Sequence, residues 1–503
     1  MSACTPVPDG AAFNPVTETD VPVESRALRT VPVTTSSPEA LKVFLKARDL
    51  SAHNRNREAT DGFKRAIVLD PNFALAHCYL GYKREGSSGL KELKLAVELS
   101  RGLPEAEQLF IRLYLAQREG DQAAITDLLR RLFKLAPDDF RVSFEYGQRA
   151  FERRDWEGAV LAFIRSVNAN PNCNAYNELG YALGMQERYD LAISAFKRCI
   201  ELAPKEPNAV DSLGEIYLAA GRLPEADAAF AQALALDPGF WSAWAGRATV
   251  SSVRRDWESA LGFLAQARSI PGLGFADRME LDVMAAWALL SAGRDGEALA
   301  KVASMERESK QLSGDAEYSF AQAALVRSAL LTHLGRFPEA VAAANVALSR
   351  AGSRGLPGAI TEALRIRAFL RRSWAEAKLG NVAQAKTTLA LMQSEVGKNP
   401  SSGEGSSSLH LAKGGVLWAL GDLHGARREF AQCELLGVSP YTEDYRVKPE
   451  DSFCQWQLMQ LEELLGEKVA AERTRRALLR HIGRDPVYLY VRTQLSTDGS
   501  TLN

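Results

Sequence analysis

Polar and aromatic side chains recur in groups through the middle of the chain: Arg141, Glu145 and Gln148, then Asn174, Asn177 and Tyr181, then Asp211 and Glu215, then Trp241. Tyr, Asn and Arg combine contact area with hydrogen bonding, the composition of a surface that holds a peptide. Bond-making chemistry finds less support. The six histidines (His53, His77, His333, His410, His424 and His481) are dispersed, with no HExxH motif and no Cys/His ligand spacing. Phosphate-binding GxxxxGK and nucleophile-elbow GxSxG motifs do not occur. Gly272-Leu273-Gly274 lacks the preceding strand and third glycine of a dinucleotide site. The expected ligand is a protein or peptide segment, and no catalytic residue, cofactor or metal is assigned.

A repeat sets the elements that must position these groups. Residues 172–238 hold two copies, in which Leu179-Gly180 returns as Leu213-Gly214, Ala192 as Ala226, Phe196 as Phe230 and Pro204 as Pro238, each 34 residues on. Each copy reads as two antiparallel helices, A over about 209–220 and B over about 224–236 in the second. Gly221 ends helix A because glycine adopts the left-handed conformation without a Cβ clash. Pro224 suits the first turn of helix B, where its missing N–H is not needed. Gly214 and Ala226 let the two helices approach, and Leu213, Tyr217 and Phe230 fill the space between them.

The period and residue set resemble the tetratricopeptide repeat. The opening, VTTSSPEALKVFLKARDL through FKRAIVLDPNFALAH, is similar to the start of a set of bacterial multi-repeat proteins. The resemblance implies an all-α fold, a right-handed superhelical solenoid of about eleven antiparallel helix hairpins, with a groove lined by one face of each helix A. Some members clamp a partner's C-terminal carboxylate with two Lys, two Asn and an Arg. Here Tyr181 and Glu215 stand where that clamp needs basic or amide groups, so capture of such a tail is not expected.

Along the chain, residues 1–37 read as a disordered or extended leader, 38–271 as regular and degenerate 34-residue units, and 272–503 as lengthened units with a C-terminal cap. In the degenerate second unit, Gly86-Ser87-Ser88-Gly89 reads as a loop before a short helix over 90–99. Beyond Pro271, where a hinge is expected, turn glycines stand at 293, 335, 380, 421 and 466, each followed five residues later by alanine. Residues 398–408 read as a flexible connection, and VYLYV at 487–491 as a strand-like scrap or a last capping helix.

Lys plus Arg (61) nearly cancels Asp plus Glu (62), which argues against a chain built to wrap nucleic acid. Arginines cluster at 365, 367, 371 and 372 and at 473, 475, 476 and 480, but interspersed acids make these solvated faces. The six cysteines form no CxxC pair, and Cys173 and Cys199 are expected to pack as small hydrophobes in a reducing, cytoplasmic compartment. Met1-Ser2-Ala3-Cys4 resembles the end of a bacterial lipoprotein cleavage box. Anchoring through Cys4 in the periplasm would need sequence upstream of Met1. The resemblance therefore points first to a non-catalytic scaffold or adaptor. The alternatives are a ligand-sensing array acting with a signalling protein, and a periplasmic lipoprotein assembly factor. Oligomeric state is not indicated.

Overall fold

A computed structural model describes residues 29–52, 56–84, 86–311, 316–352, 358–398, 403–435, 450–480 and 486–495. No strand occurs among the described residues, and the chain divides into two compact units that meet in sequence at Leu202 and Ala203.

The first unit stacks five helix hairpins. They pair α1 (Pro38–Ala52) with α2 (Asn56–Leu69), α3 (Ala74–Lys83) with α4 (Gly86–Leu99) and α5 (Glu105–Glu119) with α6 (Gln122–Leu135). Then come α7 (Phe140–Glu152) with α8 (Trp156–Ala169) and α9 (Cys173–Met185) with α10 (Tyr189–Leu202). The second unit stacks seven. It begins with α11 (Pro207–Ala219) and α12 (Leu223–Leu236), α13 (Trp241–Val253) and α14 (Trp257–Arg268), α15 (Phe275–Ser291) and α16 (Asp295–Ser309). It continues with α17 (Ala316–His333) and α18 (Phe337–Ala351), α19 (Gly358–Lys378) and α20 (Val382–Val396). It closes with α21 (Gly403–Ala419) and α22 (Leu423–Leu435), α23 (Glu450–Leu464) and α24 (Lys468–Arg480), and a last helix, α25 (Pro486–Leu495). The described residues thus form twelve hairpins, one more than the expected eleven.

The turn from helix A to helix B explains the glycine spacing. Gly120, Gly221, Gly293, Gly335, Gly380, Gly421 and Gly466 all sit there with φ between 70° and 81°. Arg154, Glu187 and Arg255 take the same conformation without glycine, at φ 62°, 58° and 59°. Helix B then starts on an aspartate in several units: the Asp121, Asp155 and Asp256 carboxylates accept from the N–H groups of Ala124, Gly158 and Ser259.

Close approach of A to B explains the small residues. A methyl group at Gly147, Gly180, Gly214 or Gly414 would lie 2.3–2.7 Å from the ring of Phe163, Phe196, Phe230 or Phe430 respectively. All four rings are fully buried, as are Ala159, Ala192, Ala226, Ala298, Ala340, Ala385 and Ala426 on helices B. The longer period after Pro271 lies mainly in helix A. Helices α15, α17, α19 and α21 have 17, 18, 21 and 17 residues, against 13 in each of α7, α9, α11 and α13. Packing continues across Pro271, because one buried cluster joins Ala245, Leu264, Leu273 and Met284.

Several local expectations are corrected. Gly86–Leu99 is one helix, and Gly89 lets it touch α3: a Cβ there would lie 2.6 Å from the Gly81 carbonyl oxygen. Residues 403–408 begin α21, with Ser407 and Ser408 buried, while 399–402 lie outside the described residues. Of the two readings of VYLYV, the last helix is the one found, α25. Cys173 and Cys199 do not pack as separate small hydrophobes but form a disulfide across the α9–α10 hairpin. A second disulfide, Cys433–Cys454, ties α22 to α23, and Cys78 is buried and free. Cys4, His53 and His481 lie outside the described residues.

The described part of the leader, residues 29–37, crosses the hairpins as an extended strap. Arg29 N–H donates to Asp138 at 2.9 Å, Val31 N–H to Asp139 at 3.0 Å, and the Thr34 hydroxyl to Glu107 at 2.6 Å. Asp70 accepts from the Thr35 hydroxyl and the Ser36 N–H. Val31 is buried under this run.

Candidate functional site

In the first unit, helices A stand side by side. Two of them, α7 and α9, hold the first six of the nine sequence-predicted residues. Arg141 leaves that set. It is 8% exposed, its guanidinium donates to Asp139 at 2.8 and 2.5 Å and to the Tyr79 hydroxyl at 2.9 Å, and it lies 4.5 Å from the Phe110 ring centre. Burial alone would lower the pKa of Arg141, but the Tyr79 and Asp139 partners outweigh it and hold the charge firmly in place. Arg141 is a packing residue.

Glu145 stays on the face. Its carboxylate accepts from Gln117 Nε2 at 2.8 Å, which links α7 to α5. Burial pushes the Glu145 carboxyl above the ordinary range, against the pull of Gln117 and the Arg149 charge. The Gln117 Oε1 and Asn177 Oδ1 atoms are buried without a hydrogen-bond partner. Asn174 is exposed, Gln148 is half-buried, and Tyr181 sets its ring edge-on to Phe196 at 5.2 Å. Sequence reasoning missed Gln117, Tyr82 and Tyr114. Tyr82 is 45% exposed and meets Tyr114 edge-on at 4.8 Å. The register of Tyr114 and Gln117 was hidden because Leu113 replaces the small residue that marks helix A elsewhere. One residue past Gly147 is Gln148 and one past Gly180 is Tyr181; the same step from Gly81 and Leu113 finds Tyr82 and Tyr114.

In the second unit Asp211 and Trp241 serve packing. Asp211 is buried and accepts from the Ser242 hydroxyl at 2.9 Å, joining α11 to α13. Trp241 packs on the cluster around Ala245, and Glu215 is half-buried. Trp244 also belongs to that cluster and donates from its indole N–H to the Pro238 carbonyl. Part of the helix-A face of this unit is covered by its own α25, which rests on α13, α15 and α23. Tyr490 of α25 meets Trp287 at 5.5 Å, His333 at 4.8 Å and Trp456 at 6.4 Å. Arg255 donates to the Thr493 carbonyl at 2.6 Å.

Both arginine clusters are engaged by neighbouring acids. Arg365 pairs with Glu395, Arg372 with Glu376, Arg475 with Glu463 and Arg476 with Glu472. Among the described residues, no group of three or more His, Cys, Asp or Glu is placed to hold a metal ion, and no helix is long and apolar enough to cross a membrane.

Tetratricopeptide repeat family profiles match residues 147–207 and 185–250, the hairpins α7 to α13. Residues 147–250 are tetratricopeptide repeats. Among curated relatives of this repeat protein, Superkiller protein 3 of Schizosaccharomyces pombe is 23% identical over 223 residues, 44% of this chain and 14% of that one. The chain thus spans about a seventh of that relative's length. Among solved structures, YrrB, described as a TPR protein with an unusual peptide-binding site, is 20% identical with a TM-score of 0.31. It covers 36% of this chain and 92% of its own. A tetratricopeptide repeat protein from Parabacteroides merdae is 12% identical with a TM-score of 0.39, covering 52% of this chain and 98% of its own.

Proposed function

We propose that this repeat protein is a non-catalytic scaffold that binds a partner segment on the helix-A face of its first unit. The observation that carries this reading is the contrast between the two faces. In the second unit, α25 occupies the face at α13, α15 and α23; in the first, buried acceptors on Gln117 and Asn177 lack partners on a face that also exposes Asn174 and Tyr82. Buried polar atoms without partners are costly, so a ligand that supplies donors there binds with a specific advantage. A photo-crosslinking residue at Gln148 or Asn174 of the intact chain tests this in native extract. Adducts are expected from both positions and not from Val68, which is 79% exposed on a helix B. Equal adduct patterns from all three positions would remove the face from consideration.

The cysteine pairing supports an oxidising compartment over the cytoplasm, because disulfides persist where thiols are not continually reduced. Rapid alkylation of the protein from its natural source, followed by mass spectrometry, tests this second reading. Cys173, Cys199, Cys433 and Cys454 should escape the label; four labelled thiols would return the protein to a reducing compartment.

A further inference from the structure

We infer that the first unit's helix-A face contains a pocket for a cationic side chain, an arginine or lysine of the bound segment, built from Glu145, Gln117, Tyr82 and Tyr114. The inference rests on the reading of this face as the partner surface and adds the chemistry of the residue it selects.

Each component offers something a cation uses. Glu145 presents a carboxylate for which, among the described residues, Gln117 is the hydrogen-bond donor. That bond fixes the Gln117 amide with its NH2 toward the carboxylate. The carbonyl Oε1 is then left as a second acceptor, buried and unpartnered. A guanidinium or ammonium supplies several N–H donors and no acceptor, so it satisfies both oxygens at once. Tyr82, half-exposed and edge-on to Tyr114, adds an aromatic face of the kind cations favour. Burial foremost, helped by the nearby Glu145 charge, holds both tyrosine hydroxyls in the neutral form.

The protein's own cations near this place are committed elsewhere. Arg118 donates to the carbonyls of Gly81 and Tyr82, and Arg149 pairs with Glu152 at 2.7 Å. Among the described residues neither bonds Glu145, which leaves its carboxylate without the bidentate arginine pair such a group can form. An anionic or purely apolar residue at this position would instead leave Gln117 Oε1 unpaired and meet the Glu145 charge without compensation.

The test is selection from a displayed random nonapeptide library on the intact chain, with three baits: the native protein, Glu145→Gln and Glu145→Lys. Urea unfolding of each bait first confirms that it is folded. The native bait should enrich peptides with arginine or lysine at one aligned position. Glu145→Gln keeps the side-chain shape and an acceptor for Gln117, and should weaken the selected peptides about tenfold or more, the loss of one charge-assisted pair. It should leave preferences at other positions in place. Glu145→Lys should exchange the cationic preference for an acidic one. Enriched peptides with no cationic position, or a cationic position untouched by both substitutions, would overturn the pocket and leave the face standing. No enrichment above the bare support would overturn the face and the pocket together.

Discussion

At the scale of single residues, the fold depends on a few contacts that admit no extra atom. A methyl at Gly180 would sit 2.4 Å from the Phe196 ring, which is itself fully buried. Gly180→Ala should therefore destabilise the first unit by about 1–3 kcal/mol through overpacking, despite alanine's better helix propensity; urea denaturation measures it. His333 makes a different demand. Trp287, Phe453, Trp456 and Tyr490 ring it at 4.8–5.9 Å, and this desolvation, with the Arg371 charge, lowers its pKa to about 3. An unfolded histidine titrates near 6.5, so below about pH 6.5 the unfolded state binds a proton that the folded state refuses. Stability should fall as pH drops from about 6.5 toward 3, by at most about 1.4 kcal/mol per pH unit, because the ring keeps some contact with water. His333→Phe should remove that slope, which melting curves at pH 7, 6 and 5 would show.

At the scale of elements, the hairpins were legible and the additions to them were not. Glycine in the A–B turn, alanine five residues on and phenylalanine packed over a glycine each leave a local mark at a fixed offset. The paired helices could thus be placed without knowing what they touch. The strap over residues 29–37 leaves no such mark. Its carboxylates come from positions 70, 107, 138 and 139, which only stacking brings into line. The strap has its own acid response. Burial raises the Asp70 and Asp139 carboxyls, but hydrogen bonds from Thr35, Ser36 and Asn72 on one, and from Arg141 and Val31 on the other, outweigh it and lower both. Their contribution is complete above about pH 4, the ordinary aspartate value, and is lost as pH falls through their lower folded values. Hydrogen exchange at the Ser36 amide, corrected for its intrinsic rate, should accelerate over that range. Asp70→Asn should show the faster exchange already at neutral pH.

At the scale of the whole molecule, two units are built from one repeat and use it differently. Asp211 and Trp241 pack within their own unit, and the sequence reveals which side chains share a helix face but not what covers them. Contact between Trp287 and Tyr490 spans 203 positions, beyond the reach of any periodic pattern. Tyr490→Ala should cost the second unit about 3 kcal/mol and leave the first unit's transition unchanged, a split that denaturant unfolding followed by site-specific probes would resolve. The position of α25 also bears on biosynthesis. It emerges from the ribosome after all seven hairpins of its unit, yet their central aromatic cluster is incomplete without it. While translation continues, His333, Trp287 and Trp456 stay wetted, and the half-made unit offers chaperones an apolar surface that the finished protein conceals.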